Sequence, residues 1–187
     1  MRSVMTARAP QVPCVLRVTL AEAAACSIAG HATASSDGLE TGGLLLGHLH
    51  PDRVVVNYAG GPGPLALREP TRFQRDLAHA RDLARAAWRL DRGIWLGEWH
   101  THPLGPVTPS DIDLRTYLTH LNDPDLTLPS FLSLIVVAAP DWNHPGIVAW
   151  TVTRTLATTT ASATAMATAV TLAAGAHPRA IDRTDLP

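Results

Sequence analysis

The segment Gly97–Asp113, GEWHTHPLGPVTPSDID, restricts the fold more than any other stretch of the chain. Its first half has the character of a β-strand that stops at Pro103, because proline has no N–H to give to a ladder. Its second half opens a helix. Thr108 can cap, Pro109 suits the first helical position, and Asp111 adds negative charge to the first turn. Pro103, Gly105, Pro106 and Pro109 stiffen the connection, so the helix start can fold back toward the strand end. Alternate strand residues point to one face, so His100 and His102 point together. Residues three apart share a helical face, so Ser110 and Asp113 point together as well. The two pairs converge if the strand end and the helix start meet. Two imidazoles and one carboxylate, with a fourth position left over, are the donor set of a catalytic zinc site.

Zinc lowers the pKa of a bound water to about 7, and a neighbouring base must then take the proton. Two carboxylates qualify. Glu98 shares strand parity with His100, and Glu40 stands at the mouth of the apolar run TGGLLLG. Spacing alone leaves both open. Ser110, at a helix start, can donate a hydrogen bond to an oxyanion. A second H-x-H, His48 and His50, precedes a Pro-Asp turn without any S-x-x-D behind it. That pair reads as ordinary hairpin-end residues.

The rest of the chain reads as one α/β (α+β) domain. The length of 187 residues suits a single domain with modest tails, and 46% hydrophobic residues fill a core. RVTLAEAAACSIAGHATAS predicts a helix capped by Thr19, GLETGGLLLGHLH a buried strand, and PDRVVVNYAG its hairpin partner. Residues 61–70 predict a loop. Phe73, Leu77, Ala80, Ala84 and Trp88 predict a helix over 71–90. SFLSLIVVAAP and GIVAWTVTR predict two strands around the DWNHPG turn. The order implies a mixed sheet with helices against it. Residues 1–13 read as a flexible leader, 14–154 as the domain, and 155–187 as an Ala/Thr-rich low-complexity tail. The run 155–176 reads as a low-specificity helix or a disordered segment, too weakly hydrophobic to span a bilayer.

Composition narrows the partners. A net charge of −1 gives no basic excess, so neither nucleic acid nor a membrane surface is expected. The two cysteines form no C-x-x-C pair, and the leader lacks the apolar region of a signal peptide. A cytoplasmic location is therefore expected. All fifteen basic residues other than histidine are arginine.

Glu40 before TGGLLLG, then HTHP, then seven residues to Ser110 and S-x-x-D, resembles the JAMM motif of the JAB1/MPN/Mov34 metalloproteases, E…H-x-H-x7-S-x2-D. The resemblance extends over about residues 15–154. GPGP at 61–64 and LGEWHTHP make it most similar to the prokaryotic JAB branch. It implies an MPN/JAB domain, a mixed curved β-sheet flanked by helices with cytidine-deaminase-like layering. It implies one Zn2+ per chain on His100, His102 and Asp113, Glu40 as general base and then acid, and Ser110 stabilising the tetrahedral intermediate. Glu98 then becomes a supporting residue. The implied reaction is deubiquitinase-like: hydrolysis of a peptide or isopeptide bond after the C-terminal residue of a ubiquitin-like protein. E1- and E2-like proteins, in a bacterial antiphage defence setting, are the implied company. The insertions with which eukaryotic relatives clasp a second ubiquitin are not obvious here. A non-catalytic MPN scaffold and a JAMM hydrolase acting on a sulfur-carrier or phage-tail substrate are the alternative readings.

Overall fold

Val18 and Leu20 are buried and Arg17 is exposed, and this alternation makes Arg17–Ala21 a strand, β1, where a helix was expected. A computed structural model describes residues 17–138, 141, 145–157, 160–168 and 170–173. The expected leader, Cys14, residues 142–144 of the DWNHPG turn and the chain after residue 173 lie outside these. The helix α1 (Glu22–Ala34) starts after Ala21, which is extended and offers no side-chain cap, so Thr19 is not the cap. Ala24, Ile28 and Ala32 recur every four residues on its buried face.

The strands β2 (Gly42–Leu49) and β3 (Arg53–Ala59) form the expected antiparallel hairpin. Two further short strands, β4 (Leu67–Glu69) and β5 (Arg72–Gln74), pair only with each other. They occupy the end of the expected loop and the start of the expected helix, so Phe73 belongs to β5. The helix α2 (Leu77–Asp91) begins where the Asp76 carboxylate accepts the N–H groups of Ala78 at 3.0 Å and His79 at 3.2 Å. Then come β6 (Ile94–Thr101), α3 (Asp111–Asn122), β7 (Phe131–Ala138), β8 (Pro145–Ala157), β9 (Thr160–Thr168) and β10 (Val170–Ala173). The expected boundary after residue 154 falls inside β8, and part of the Ala/Thr run is strand rather than helix or disorder.

The main sheet has the order β10-β1-β3-β2-β6-β7-β8-β9. It is mixed: β1 runs parallel to β10 and β3, β6 runs parallel to β7, and the other pairs are antiparallel. Its two outer strands are consecutive in the chain. Thr168 lies opposite Ala149 on β8 and Val170 opposite Val18 on β1, with one residue between them. Two residue steps span at most about 7 Å, so the β1 and β8 sides must approach each other and the sheet must curl.

The helices divide between the two faces. On β2, Leu45 joins Trp99, Leu134 and Val136 beneath α1. Its neighbours Leu44 and Leu46 pack against Ala80, Leu83 and Ala87 of α2. On β7, Leu132 faces the α1 side while Phe131 meets Tyr117 and Leu121 of α3. The result is helix, sheet, helix in layers, the expected architecture. The candidate site lies on the α2/α3 side, at the β6 end where α3 begins.

Candidate metal centre

On β6, Trp99 points into the α1 core, fully buried, with its indole N–H donating to Gly60 O at 2.8 Å. Period-two alternation then turns Glu98 and His100 to the opposite face. Both line a cavity of about 340 Å³ between β5 and α3. Gly42 is the cross-strand partner of His100. A Cβ there would lie 2.3 Å from Trp99 O and 2.9 Å from the His100 Cβ, so only glycine lets β2 approach β6 this closely. One residue further back, Thr101 N donates to Thr41 O at 2.8 Å, and Thr41 N to Thr101 Oγ1 at 2.9 Å. These bonds bring Glu40 alongside the histidine strand.

His100, His102 and Asp113 offer ligand atoms that all lie within 4.8 Å of one another. The Nε2 atoms of the two histidines are 2.9 Å apart. His100 Nε2 lies 3.5 Å from Asp113 Oδ1, and His102 Nε2 lies 3.5 Å from Asp113 Oδ2. His102 Nδ1–H donates to Pro106 O at 2.6 Å, which fixes the ring and, in its neutral form, leaves Nε2 as a lone pair aimed at the triad. The Pro-Gly connection thus supplies the orienting carbonyl. Both histidines are buried.

Ser110, not Thr108, caps α3. Its hydroxyl accepts from Asp113 N at 3.2 Å and donates to Asp113 Oδ2 at 2.6 Å, and its own N–H donates to that oxygen at 2.7 Å. This capping box turns the Asp113 carboxylate toward the histidines. Burial works against the charge of Asp113, but hydrogen bonds from His100, His102 and Ser110 outweigh it and hold the carboxyl well below the usual range. Burial also opposes a charged His102; the Asp113 and Pro106 bonds overcome it and raise the pKa.

Glu40 is buried at 8% exposure and lines the same cavity. Burial raises its pKa against the opposing pull of His100 and His102. The other candidate base, Glu98, is engaged elsewhere. It forms an ion pair with Arg75, with His120 Nε2 at 3.6 Å. Arg75 also lies over the Trp95 ring at 5.4 Å. Burial shifts His120 down to about 4, helped by Arg75. Sequence reasoning missed Arg75, Tyr117 and His120 as cavity residues. Asp113, Thr116, Tyr117 and His120 follow i, i+3, i+4, i+7, one helical stripe, and that spacing was the available signal.

Zinc fits this set: two imidazole nitrogens and a carboxylate oxygen converge, one ring is oriented through its other nitrogen, and the rest of the shell is open to a cavity. Three protein donors at a strand end and a helix start, on the α2/α3 side of a helix–sheet–helix stack, define an α/β protein with a candidate catalytic-type metal centre. More specifically, the chain belongs to the prokaryotic homologs of the JAB domain, which it matches over residues 22–153. It is 36% identical over 85 residues to a CD-NTase/cGAS isopeptidase of Pseudomonas aeruginosa, covering 44% of this chain and 54% of that protein. A protein of the same description from Vibrio cholerae is 30% identical over 105 residues, covering 55% of this chain and 65% of the relative. The chain thus spans about half to two thirds of the length of these relatives. In fold it is similar to protein DSY2949 of Desulfitobacterium hafniense, with a TM-score of 0.60 and 23% identity over 83% of this chain and 92% of that one. Among the described residues no helix is long and apolar enough to cross a membrane.

Proposed function

We propose that the chain is a JAMM-type zinc metalloprotease, an isopeptidase that cleaves the bond joining a CD-NTase/cGAS-like or ubiquitin-like protein to its target. The convergence of His100, His102 and Asp113 within 4.8 Å beside the buried Glu40 carries this reading. The isopeptidase names of the relatives support the substrate class. His100, His102 and Asp113 would hold one Zn2+, which supplies Lewis acidity and an activated water when bound.

The chain's own groups account for the proton movements. Glu40 has a raised pKa and sits in the cavity wall. It takes a proton from the attacking water and returns it to the leaving amine, the work of a base tuned toward neutrality. The Ser110 hydroxyl has one proton, spent on an Asp113 oxygen that the Ser110 N–H also satisfies. That oxygen keeps a partner when the hydroxyl turns, so Ser110 can donate to the oxyanion of the tetrahedral intermediate. E1- and E2-like proteins of an antiphage system would form the conjugates that this enzyme removes.

The test is mass spectrometry of products when the zinc-loaded protein meets a CD-NTase conjugate, a ubiquitin-like fusion, a sulfur-carrier fusion and a phage-tail protein. Cleavage of the first or second, abolished by His100→Ala, supports the proposal. Cleavage of the third or fourth alone moves the substrate elsewhere. Full zinc occupancy without any cleavage marks a scaffold.

A further inference from the structure

Glu40 stands just outside the main sheet ladder, whose β2–β6 pairing begins at Gly42. Its backbone is gripped instead by β4, a strand of the separate two-stranded sheet. Glu40 N donates to Glu69 O at 2.9 Å, and Glu40 O accepts Arg68 Nε at 3.2 Å. The same guanidinium reaches Leu39 O through Nη2 at 3.4 Å. It also makes a two-pronged pair with Asp37, Nη1 to Oδ2 at 3.0 Å and Nη2 to Oδ1 at 2.8 Å. Asp37 Oδ1 in turn accepts Leu39 N at 3.1 Å, closing the turn around Gly38, whose φ is +83°. One planar fork therefore ties residues 37, 39 and 40 together. Lysine, with a compact ammonium, cannot reproduce that geometry.

We infer that Arg68 is a positioning residue for the general base: by clamping the peptide planes that flank Glu40, it fixes where the Glu40 carboxylate stands in the cavity. The inference rests on the proposed role of Glu40 and adds what holds that residue in place. Arg68 touches neither the metal ligands nor the cavity, and its side chain is 24% exposed. Its effect passes through the Glu40 backbone. A displacement of about 1 Å in a reacting group can lower a rate about a hundredfold.

Two measurements on the zinc-loaded chain test the clamp. For Arg68→Ala, kcat falls by about a hundredfold while KM and zinc content stay at wild-type values. Hydrogen exchange quickens in peptides covering residues 37–43, with the α3 peptides unchanged. Arg68→Lys does not restore kcat. If Arg68→Ala fails to fold, Asp37→Asn is judged by the same criteria, because it keeps the arginine and weakens its fork. Unchanged kcat in an active enzyme overturns the inference, and so does a loss that falls on KM instead. If the wild-type protein cleaves no conjugate, the proposed function falls, and the clamp stands or falls on exchange at residues 37–43.

Discussion

Ser110→Ala separates two roles that meet in one hydroxyl. The substitution removes a bond donated to Asp113 Oδ2 at 2.6 Å and one accepted from Asp113 N at 3.2 Å. Loss of the cap destabilises the fold by about 1 kcal/mol, which lowers Tm by about 2–4 °C in a chain of this size. Loss of an orienting partner to a ligand weakens zinc binding about 10- to 100-fold. Loss of an oxyanion donor lowers kcat by about 100- to 1000-fold even at saturating zinc. The assay is a zinc titration against a competing chelator, followed by kcat at full occupancy on a conjugate that the wild type cleaves. Unchanged zinc affinity and Tm would refute the capping-box argument. Full recovery of kcat at saturating zinc would refute the oxyanion role and leave Ser110 as an orienting group alone.

Four further outcomes follow from the site and its surroundings. Glu40→Gln keeps about one zinc per chain by elemental analysis while cleavage falls about 100- to 10,000-fold; full activity would shift the base to Glu98. His100→Ala binds no stoichiometric zinc, which the same analysis checks. Gly42→Ala destabilises the fold by several kcal/mol in chemical denaturation, because its methyl would stand 2.3 Å from Trp99 O. His120, shifted down to about 4 from 6.5, makes stability depend on pH. Between those values the unfolded chain binds the extra proton, so stability is full above about 6.5, falls as pH drops toward 4 and levels off below. The slope integrates to at most about 3 kcal/mol, and His120→Phe should flatten the acid limb of a Tm-versus-pH curve.

The residues that converge on the centre were legible because their signals are local. Two histidines on one strand parity and a capped S-x-x-D need only backbone periodicity to be placed. What stayed hidden depends on pairing across long sequence distances. RVTLA reads as a helix start because of the alanines that follow, and its strand character comes from lying between β3 and β10. Three-residue strands such as Leu67–Glu69 and Arg72–Gln74 are too short to show a period. The composition of the Ala/Thr run masks its strand character, although Ala161, Ala163, Ala165 and Ala167 alternate with larger residues at the two-residue period of a strand. Resemblance, not spacing, favours Glu40 over Glu98 as the base. In the structure Glu98 is tied to Arg75, and the base role of Glu40 stays a proposal.

Among the described residues the last two strands, β9 and β10, hem both selvedges of the sheet with a single thread. Cutting that thread, for example by ending the chain at residue 154, would bare the backbone donors and acceptors of β1 and β8 together. Unpaired strand rims recruit other chains. The shortened protein should therefore precipitate or self-associate before the His100, His102 and Asp113 cluster is in any way altered, and a loss of the proposed activity on trimming this segment would say nothing about chemistry.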